Sequence, residues 1–412
     1  MRVLAVFPIL VCLLAGGPTY AAEFSNGVRA YNSGDYPGAF AQWELLAELG
    51  NAVAQNNLGW LYQHGKGVMQ DNEAAVKWYW QAARQGNAVA QTNLAWMYEQ
   101  GKGVTRNDRV AVRWYTIAAR QGDPAAQNNL GTMYQNGTGV EQDYATALDW
   151  YRKAAEQGNA HARFNLGTSY QKGFGVVRSN KKALEWYRLA AAQGHAEAQF
   201  NLGWMYENGV GLQRDDDKAL EWYRLAADNG SASAQANLGS RYREGLGVAR
   251  DYDIALKWFR AAAAQGDLLA QYSLGKMYQA GQGVTRDFEI AADWLRRAAE
   301  KGFALAQNLL GAMYSRGLGV EQNHRQAVSL YRLAAEQGLA SARFNLGAKY
   351  ANGEGVDRDY VRAHMWWNIA AAQGNVNAAN SLANMENEMT PAQLQRARDL
   401  VILCRAQNYR DC

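Results

Sequence analysis

NAVAQNNLGWLYQHGKGVMQDNEAAVKWYWQAARQG, the thirty-six residues from Asn51 to Gly86, decides the fold, because eight further blocks of the same length follow it to Gly374 without an insertion or deletion. A fixed period of this size marks a unit that cannot bury its apolar face alone and stacks on its neighbours. The fourth position of every block is alanine (Ala54 through Ala342), the eighth leucine (Leu58 through Leu346) and the twelfth tyrosine (Tyr62 through Tyr350). Glycine fills positions fifteen, seventeen and thirty-six every time.

Each block reads as two helices. Apolar residues at positions 4, 8, 11 and 12, and again at 25, 28, 29, 32 and 33, keep the spacing of a 3.6-residue period. Position 1 is usually Asn, Asp, Ser or His and position 21 is always Asp, Asn or Ser, side chains that accept from the orphan N–H groups of a first turn. Glycines after each run suit the left-handed residue that closes a helix. Alanines at 4, 25, 32 and 33 let helices approach closely, with Tyr at 12 and Trp at 28 expected to fill the gaps. The tryptophans at 28, from Trp78 to Trp366, are expected in the core. The fold class that follows is all-α, a solenoid of nine helix pairs with terminal caps.

The A-x-x-x-L-G-x-x-Y half, the G-x-G-V-x-x-D linker and the A-x-x-W-Y-x-x-A-A-x-x-G half resemble the Sel-one-like repeat family, relatives of tetratricopeptide repeats with a longer linker. Met389-Thr390-Pro391-Ala392-Gln393 is similar to an ending common in bacterial members. The resemblance implies a right-handed α/α superhelix that binds other proteins, often in bacterial envelopes. One branch of the family is associated with β-lactam binding or hydrolysis and keeps a cysteine pair in each repeat; this chain has none there, which lowers the case for an enzyme.

The ends of the chain differ from the array. Residues 1–21 read as a signal peptide, with Arg2 before the apolar run Val3 to Gly16 and small residues before a cut after Ala21. A retained signal anchor is the other reading. Residues 22–50 read as a capping helix pair of tetratricopeptide type, 51–374 as the nine repeats and 375–412 as carboxy-terminal capping helices, the last opened by a Thr390-x-x-Gln393 capping box with proline at its first position. Past the leader only Cys404 and Cys412 remain, and in an exported protein this even pair is expected to form a disulfide, with two free thiols as the alternative. The expected location is periplasmic or secreted, with no transmembrane segment after cleavage.

Net charge is +4, with acids interspersed among arginines in the second helices, a pattern that argues against a nucleic-acid partner. The five histidines occupy five different repeat positions, none pair at a ligand spacing, and no metal or cofactor is expected. The glycine pairs follow helices and recur nine times, so they are turns and not phosphate loops. No serine lies in a nucleophile-elbow context. What varies is one helical face. At about 100° per residue, positions 3, 6, 10 and 13 of the first helix lie nearly opposite the packed set. In the tetratricopeptide arrangement that face is concave. It carries Trp60, Trp96, Phe164, Phe200, Trp204, Tyr272 and Phe344, with Asn56, Asn128, Gln63 and Gln135 as polar readers. Exposed aromatics on a soluble surface mark a contact site. The expected function is therefore a non-catalytic interaction scaffold for a peptide or partner protein, with Phe200 and Trp204 as anchors. A binder of envelope glycans or peptidoglycan fragments is the alternative, since the same rings stack on sugars. The rings could instead pack against adjacent repeats.

Overall fold

The computed structural model describes residues 18–410 and 412. Among them all regular structure is helical, in 22 helices. Residues up to Asp215 form one compact unit and Asp216–Cys412 a second.

The first unit opens with α1 (Pro18–Asn32) and α2 (Tyr36–Glu48), joined by a tight turn in which Gly34 takes a φ of 83° and Asp35 caps α2. The expected leader lies mostly outside the described residues; α1 begins four residues before the expected cut. Next come α3 (Ala52–His64), α4 (Asn72–Arg84), α5 (Ala88–Gln100), α6 (Asp108–Arg120), α7 (Pro124–Asn136), α8 (Tyr144–Glu156), α9 (Ala160–Lys172), α10 (Asn180–Ala191) and α11 (Ala196–Asn208). The second unit holds α12 (Asp216–Asp228), α13 (Ala232–Glu244), α14 (Tyr252–Ala264), α15 (Leu268–Ala280), α16 (Phe288–Glu300), α17 (Ala304–Arg316), α18 (His324–Glu336), α19 (Ala340–Asn352) and α20 (Tyr360–Ala371). It closes with α21 (Val376–Glu386) and α22 (Pro391–Ala406). Within each unit every helix packs on the next in sequence, apart from α22, which returns to α20. This is an α-solenoid built from nearest neighbours.

The helix ends form as the punctuation dictates. Asp71 accepts from the N–H groups of Glu73 and Ala74, and Asn107, Asp143 and Ser179 cap α6, α8 and α10 in the same way. Gly65, in the left-handed region at φ 62°, returns its N–H to Leu61 O. The second glycine of the linker serves close approach: a Cβ on Gly103 would lie 2.2 Å from Asn72 O at the start of the preceding second helix. The linker therefore lies directly on its neighbour's first turn. Thr390 and Gln393 complete the capping box of α22.

The packing corrects one expectation. In seven of the nine repeats the buried aromatic is at position 29, not 28: Tyr79, Tyr115, Tyr151 and Tyr187 in the first unit and Tyr223, Phe259 and Tyr331 in the second are buried, whereas Trp78, Trp114, Trp150, Trp186, Trp222, Trp258 and Trp294 are only half-buried, and the seventh repeat has Leu295 at position 29. Trp366 alone of the series is in the core. Position 29 faces the first helix of its own repeat over position 9, where glycine leaves room for the ring: a Cβ on Gly167 would stand 2.5 Å from Tyr187 Cδ1. The Tyr79 hydroxyl then donates to Gln63 Oε1 at 2.7 Å, and Tyr187 to Gln171 Oε1 at 2.9 Å. Burial raises the pKa of both phenols. Position 28, one residue further round the helix, has no such slot, and its ring covers the seam beside basic side chains, as Trp150 does under Lys153.

A second buried feature joins successive repeats. Position 5 is Gln or Arg in all nine blocks. Gln55, Gln91 and Gln127 each donate to a carbonyl at the end of the preceding second helix (Ala47, Ala83, Ala119) at 3.0, 3.0 and 3.1 Å. Each also accepts from the Gln at position 35 of its own repeat, at 2.8, 2.6 and 2.8 Å. Where position 5 is arginine, Arg163 and Arg343 donate through Nε to Ala155 O and Ala335 O. Their position-35 partners, Gln193 and Gln373, turn to the carbonyls of Gly158 and Gly338 instead. Helix-end carbonyls that already accept from a backbone N–H of the closing turn thus gain a second donor from the next repeat.

Candidate functional site

The face of positions 3, 6, 10 and 13 is not an open stripe. In the first unit, Trp60 is half-buried, stacks on His64 at 4.1 Å between ring centres and meets Tyr31 edge-on at 5.4 Å. Trp96 is half-buried beneath the Lys102 ammonium, 4.9 Å from its ring centre. Phe164 stacks on His195 at 4.7 Å and packs near Tyr187, and Phe200 is half-buried. In the second unit Tyr272 packs against Phe303 at 5.7 Å and Phe344 against Trp367 at 6.3 Å. Most of the expected contact row is therefore taken up in packing, against an adjacent repeat for Phe164 and Tyr272, against the capping helix α1 for Trp60 and within its own repeat for Phe344. Trp204 is the exception, 40 % exposed one turn after Phe200 on α11.

The expected polar readers are corrected more sharply. Asn56 is only 3 % exposed, and its Oδ1 accepts from Asn93 Nδ2 of the next repeat at 3.0 Å. Asn128 accepts from Asn165 at 2.9 Å in the same way. Gln63 is buried under Tyr79 and Gln135 accepts from Tyr151. These amides are spent on register between first helices, because adjacent repeats bring position 6 of one against position 7 of the next. In the second unit the ladder recurs between Asn308 and Asn345.

The structure also assembles groups that sequence spacing kept apart. His161 and His195, thirty-four residues apart, meet at 3.0 Å through Nδ1 and Nε2, while His195 Nδ1 accepts from Ala198 N as the cap of α11. Burial, and the neighbouring His161, push the His195 pKa down to about 4. The imidazole is therefore neutral near pH 7, as an acceptor cap requires. Among the described residues, no three His, Cys, Asp or Glu side chains are grouped to hold a metal ion.

In the second unit Lys349 stands at position 11, where most repeats place Leu or Met, and is buried. Its Nζ lies 2.5 Å from Ser315 Oγ and 3.2 Å from His324 Nδ1, and it is ion-paired with Glu354. The hydrogen bond from Lys349 holds the Glu354 carboxyl below its ordinary value. An ammonium fixed in this way has no lone pair with which to deprotonate serine, so the contact balances a buried charge. Burial pushes the Tyr331 hydroxyl, beside Ser315, up to about 12.

At the carboxy-terminal end Cys404 and Cys412 are joined, with Cα atoms 5.5 Å apart. Asn408 and Tyr409 take φ values of 51° and 64°, and the Tyr409 ring lies 4.0 Å from the guanidinium carbon of buried Arg343. Burial lowers the Arg343 pKa. Arginine also recurs at position 30, from Arg152 to Arg332, a row that the mild net charge concealed. Arg188, Arg224, Arg260 and Arg332 each reach the tyrosine hydroxyl at position 12 of the following repeat. Among the described residues, no helix is long and apolar enough to cross a membrane.

Comparison with known proteins agrees with this architecture. The crystal structure of c5321, a protective antigen present in uropathogenic Escherichia coli strains and displaying an SLR fold, is 37% identical with a TM-score of 0.67, over 93% of this chain and 83% of that one. A Sel1 repeat protein from Oxalobacter formigenes is 35% identical with a TM-score of 0.55, over 58% of this chain and 96% of that one. No curated protein matches the sequence at a significant level. The Sel1 repeat family matches nine consecutive segments, residues 52–87, 88–123, 124–159, 160–195, 196–231, 232–267, 268–303, 304–339 and 340–375. With its linker glycines, capped helix pairs and unbroken period accounted for, the chain belongs to the Sel1 repeat family.

Proposed function

We propose that this protein is an exported, non-catalytic scaffold that binds a peptide or partner protein on the first-helix face of its repeats, with Trp204 as the anchor. One observation carries the reading: Trp204 keeps 40 % of its surface in water on a face whose other aromatic rings are half-buried. A large ring left uncovered beside a rigid, capped helix offers contact area with little ordering cost, which is what interface anchors supply. Phe200, one turn earlier, widens the apolar patch. Export is supported by the charged start, apolar run and small-residue cut of the leader, and a protective antigen among the relatives fits a location that host antibodies reach.

The test is retention from a bacterial envelope extract by the immobilised full chain, with Trp204→Ala as matched control. A protein band held by the wild type and lost in the variant is the expected result. Equal retention by both removes Trp204 from the interface, and retained glycan in place of protein gives the surface to sugar binding.

A further inference from the structure

We propose that the carboxy-terminal unit carries a second recognition site, an arginine cleft that binds an extended acidic segment of a protein. The cleft, of about 750 Å³, opens between α18, the linker before α20 and the first turn of α20, and is lined by Arg325, Arg332, Arg358, Arg362, Tyr350 and Asp357. Asp359, which also borders it, already caps α20 by accepting from Arg362 N at 2.9 Å.

This cluster is not the ordinary surface of a repeat. Four of the other five position-30 arginines have an acid three residues before them, Arg260 with Lys257 being the exception, and Arg152–Asp149 and Arg296–Asp293 are ion-paired at 3.1 and 2.5 Å. In the eighth repeat that acid is replaced by Ser329, leaving Arg332 with the Tyr350 hydroxyl at 3.0 Å. Arg325 and Arg362 then add two cations at positions that are not basic in most repeats. Among the described residues, none of Arg325, Arg332 and Arg358 has a carboxylate within ion-pair distance, and Arg362 has only Asp359, at 3.9 Å. Four guanidinium groups gathered around one cleft repel one another, and an anionic ligand relieves that repulsion with forked, charge-assisted hydrogen bonds.

Spacing and local charge select the ligand. Arg325 and Arg332 are seven residues apart on α18, about 10 Å along the axis at ~1.5 Å per residue. A single phosphate cannot span that. A peptide extended in the polyproline II conformation has three residues per turn and advances about 3.1 Å per residue, so acidic side chains at i and i+3 share one face and match the two guanidinium groups. Asp357 is exposed in the same cleft, where it can accept from a peptide N–H but repels a phosphodiester backbone. The site is independent of the Trp204 face, which lies in the other unit.

The experiment is fluorescence anisotropy of the full chain with a labelled peptide, acetyl-Glu-Ser-Thr-Glu-Ser-Thr-Glu-amide, and its Gln counterpart. Binding of the Glu peptide only, weakened by salt and lost at least tenfold in Arg325→Glu/Arg332→Glu, is expected. Trp204→Ala is expected to leave it unchanged, so this site and the proposed scaffold face fail separately. The milder Arg325→Ala/Arg358→Ala serves if charge reversal disturbs the fold, which circular dichroism checks. The proposal is overturned if the Glu peptide binds both arginine variants as tightly as wild type, or does not bind wild type. It is also overturned if a single-stranded DNA of equal charge binds the cleft more tightly, or if inorganic phosphate at equal charge displaces the peptide.

Discussion

Replacing Gln127 with methionine tests whether the position-5 amides hold the repeats together. Methionine keeps the length and approximate volume of the side chain, so little cavity is created, but it removes two hydrogen bonds. One is the donation from Nε2 to Ala119 O at 3.1 Å, and the other is the acceptance at Oε1 from Gln157 Nε2 at 2.8 Å. Gln127 is only 4 % exposed, so water does not readily replace what is lost there. At about 0.5 to 1.5 kcal/mol for each neutral bond the expected cost is about 1 to 3 kcal/mol. Gln157 is exposed and water can replace its lost bond, so Gln157→Ala is expected to cost about 0.5 kcal/mol or less. Because Ala119 O also accepts from Gly122 N, the cost stays at the lower end if that bond shortens in compensation. Gln127→Arg is expected to be milder than methionine, since Arg163 already fills the same slot and donates to Ala155 O at 3.2 Å. A repeat array need not unfold in one step, so the readout is amide hydrogen exchange within α7 and α8, where the methionine variant should exchange roughly 5- to 150-fold faster. If methionine exchanges no faster than the Gln157 variant, or arginine is worse than methionine, the amides contribute register without stability and the reasoning fails.

Leu202→Ala should cost about 2 to 5 kcal/mol, because the side chain is fully buried, whereas Trp204→Ala should cost about 1 kcal/mol; equal losses in chemical denaturation would mean that the Trp204 ring is a packing element. Acid should weaken the first unit through His195. Its folded pKa of about 4 lies below the ordinary 6.5, so the unfolded chain binds the proton more readily. The stabilisation is thus complete above pH 6.5 and lost as pH falls from there to about 4. His195→Asn keeps a capping acceptor of the kind Asn51, Asn87 and Asn159 supply and should flatten that slope of denaturation midpoint against pH; an unchanged slope would assign it to another group. Finally, intact-mass analysis of the native protein should show a chain beginning at Ala22 and two protons lighter than the reduced form, and a full-length mass in the membrane fraction would replace a cleaved leader with an anchor.

What was legible in the sequence was whatever depends on contacts within one repeat. The period, the capping residues at position 21 and the glycines at 15, 17 and 36 each act over a few residues, and the helix pairs form where those signals place them. Position 5 carries a signal too, since Gln or Arg recurring between packed positions 4 and 8 implies a buried partner. Position 29 was marked by position 9, glycine in every repeat but the second, where the bulky side chain at 29 lies too close for most side chains to fit.

The sequence by itself determined an all-helical array of nine linked pairs, because hydrophobic period and capping chemistry are local. It also determined which face of each first helix stands opposite the packed set. Only the tertiary structure decided whether that face meets water. How closely one repeat lies on the next is set by side chains that reach across the seam, such as Gln127 to Ala119 O and Asn128 with Asn165. That approach half-buries Trp60 and Trp96 and leaves Trp204 in solvent. It likewise brings His161 to His195 and gathers Arg325, Arg332, Arg358 and Arg362 around one cleft. Periodicity fixes direction around a helix axis, but burial depends on the distance to the neighbouring helix, and a single sequence carries that distance only through contacts made when the repeats stack.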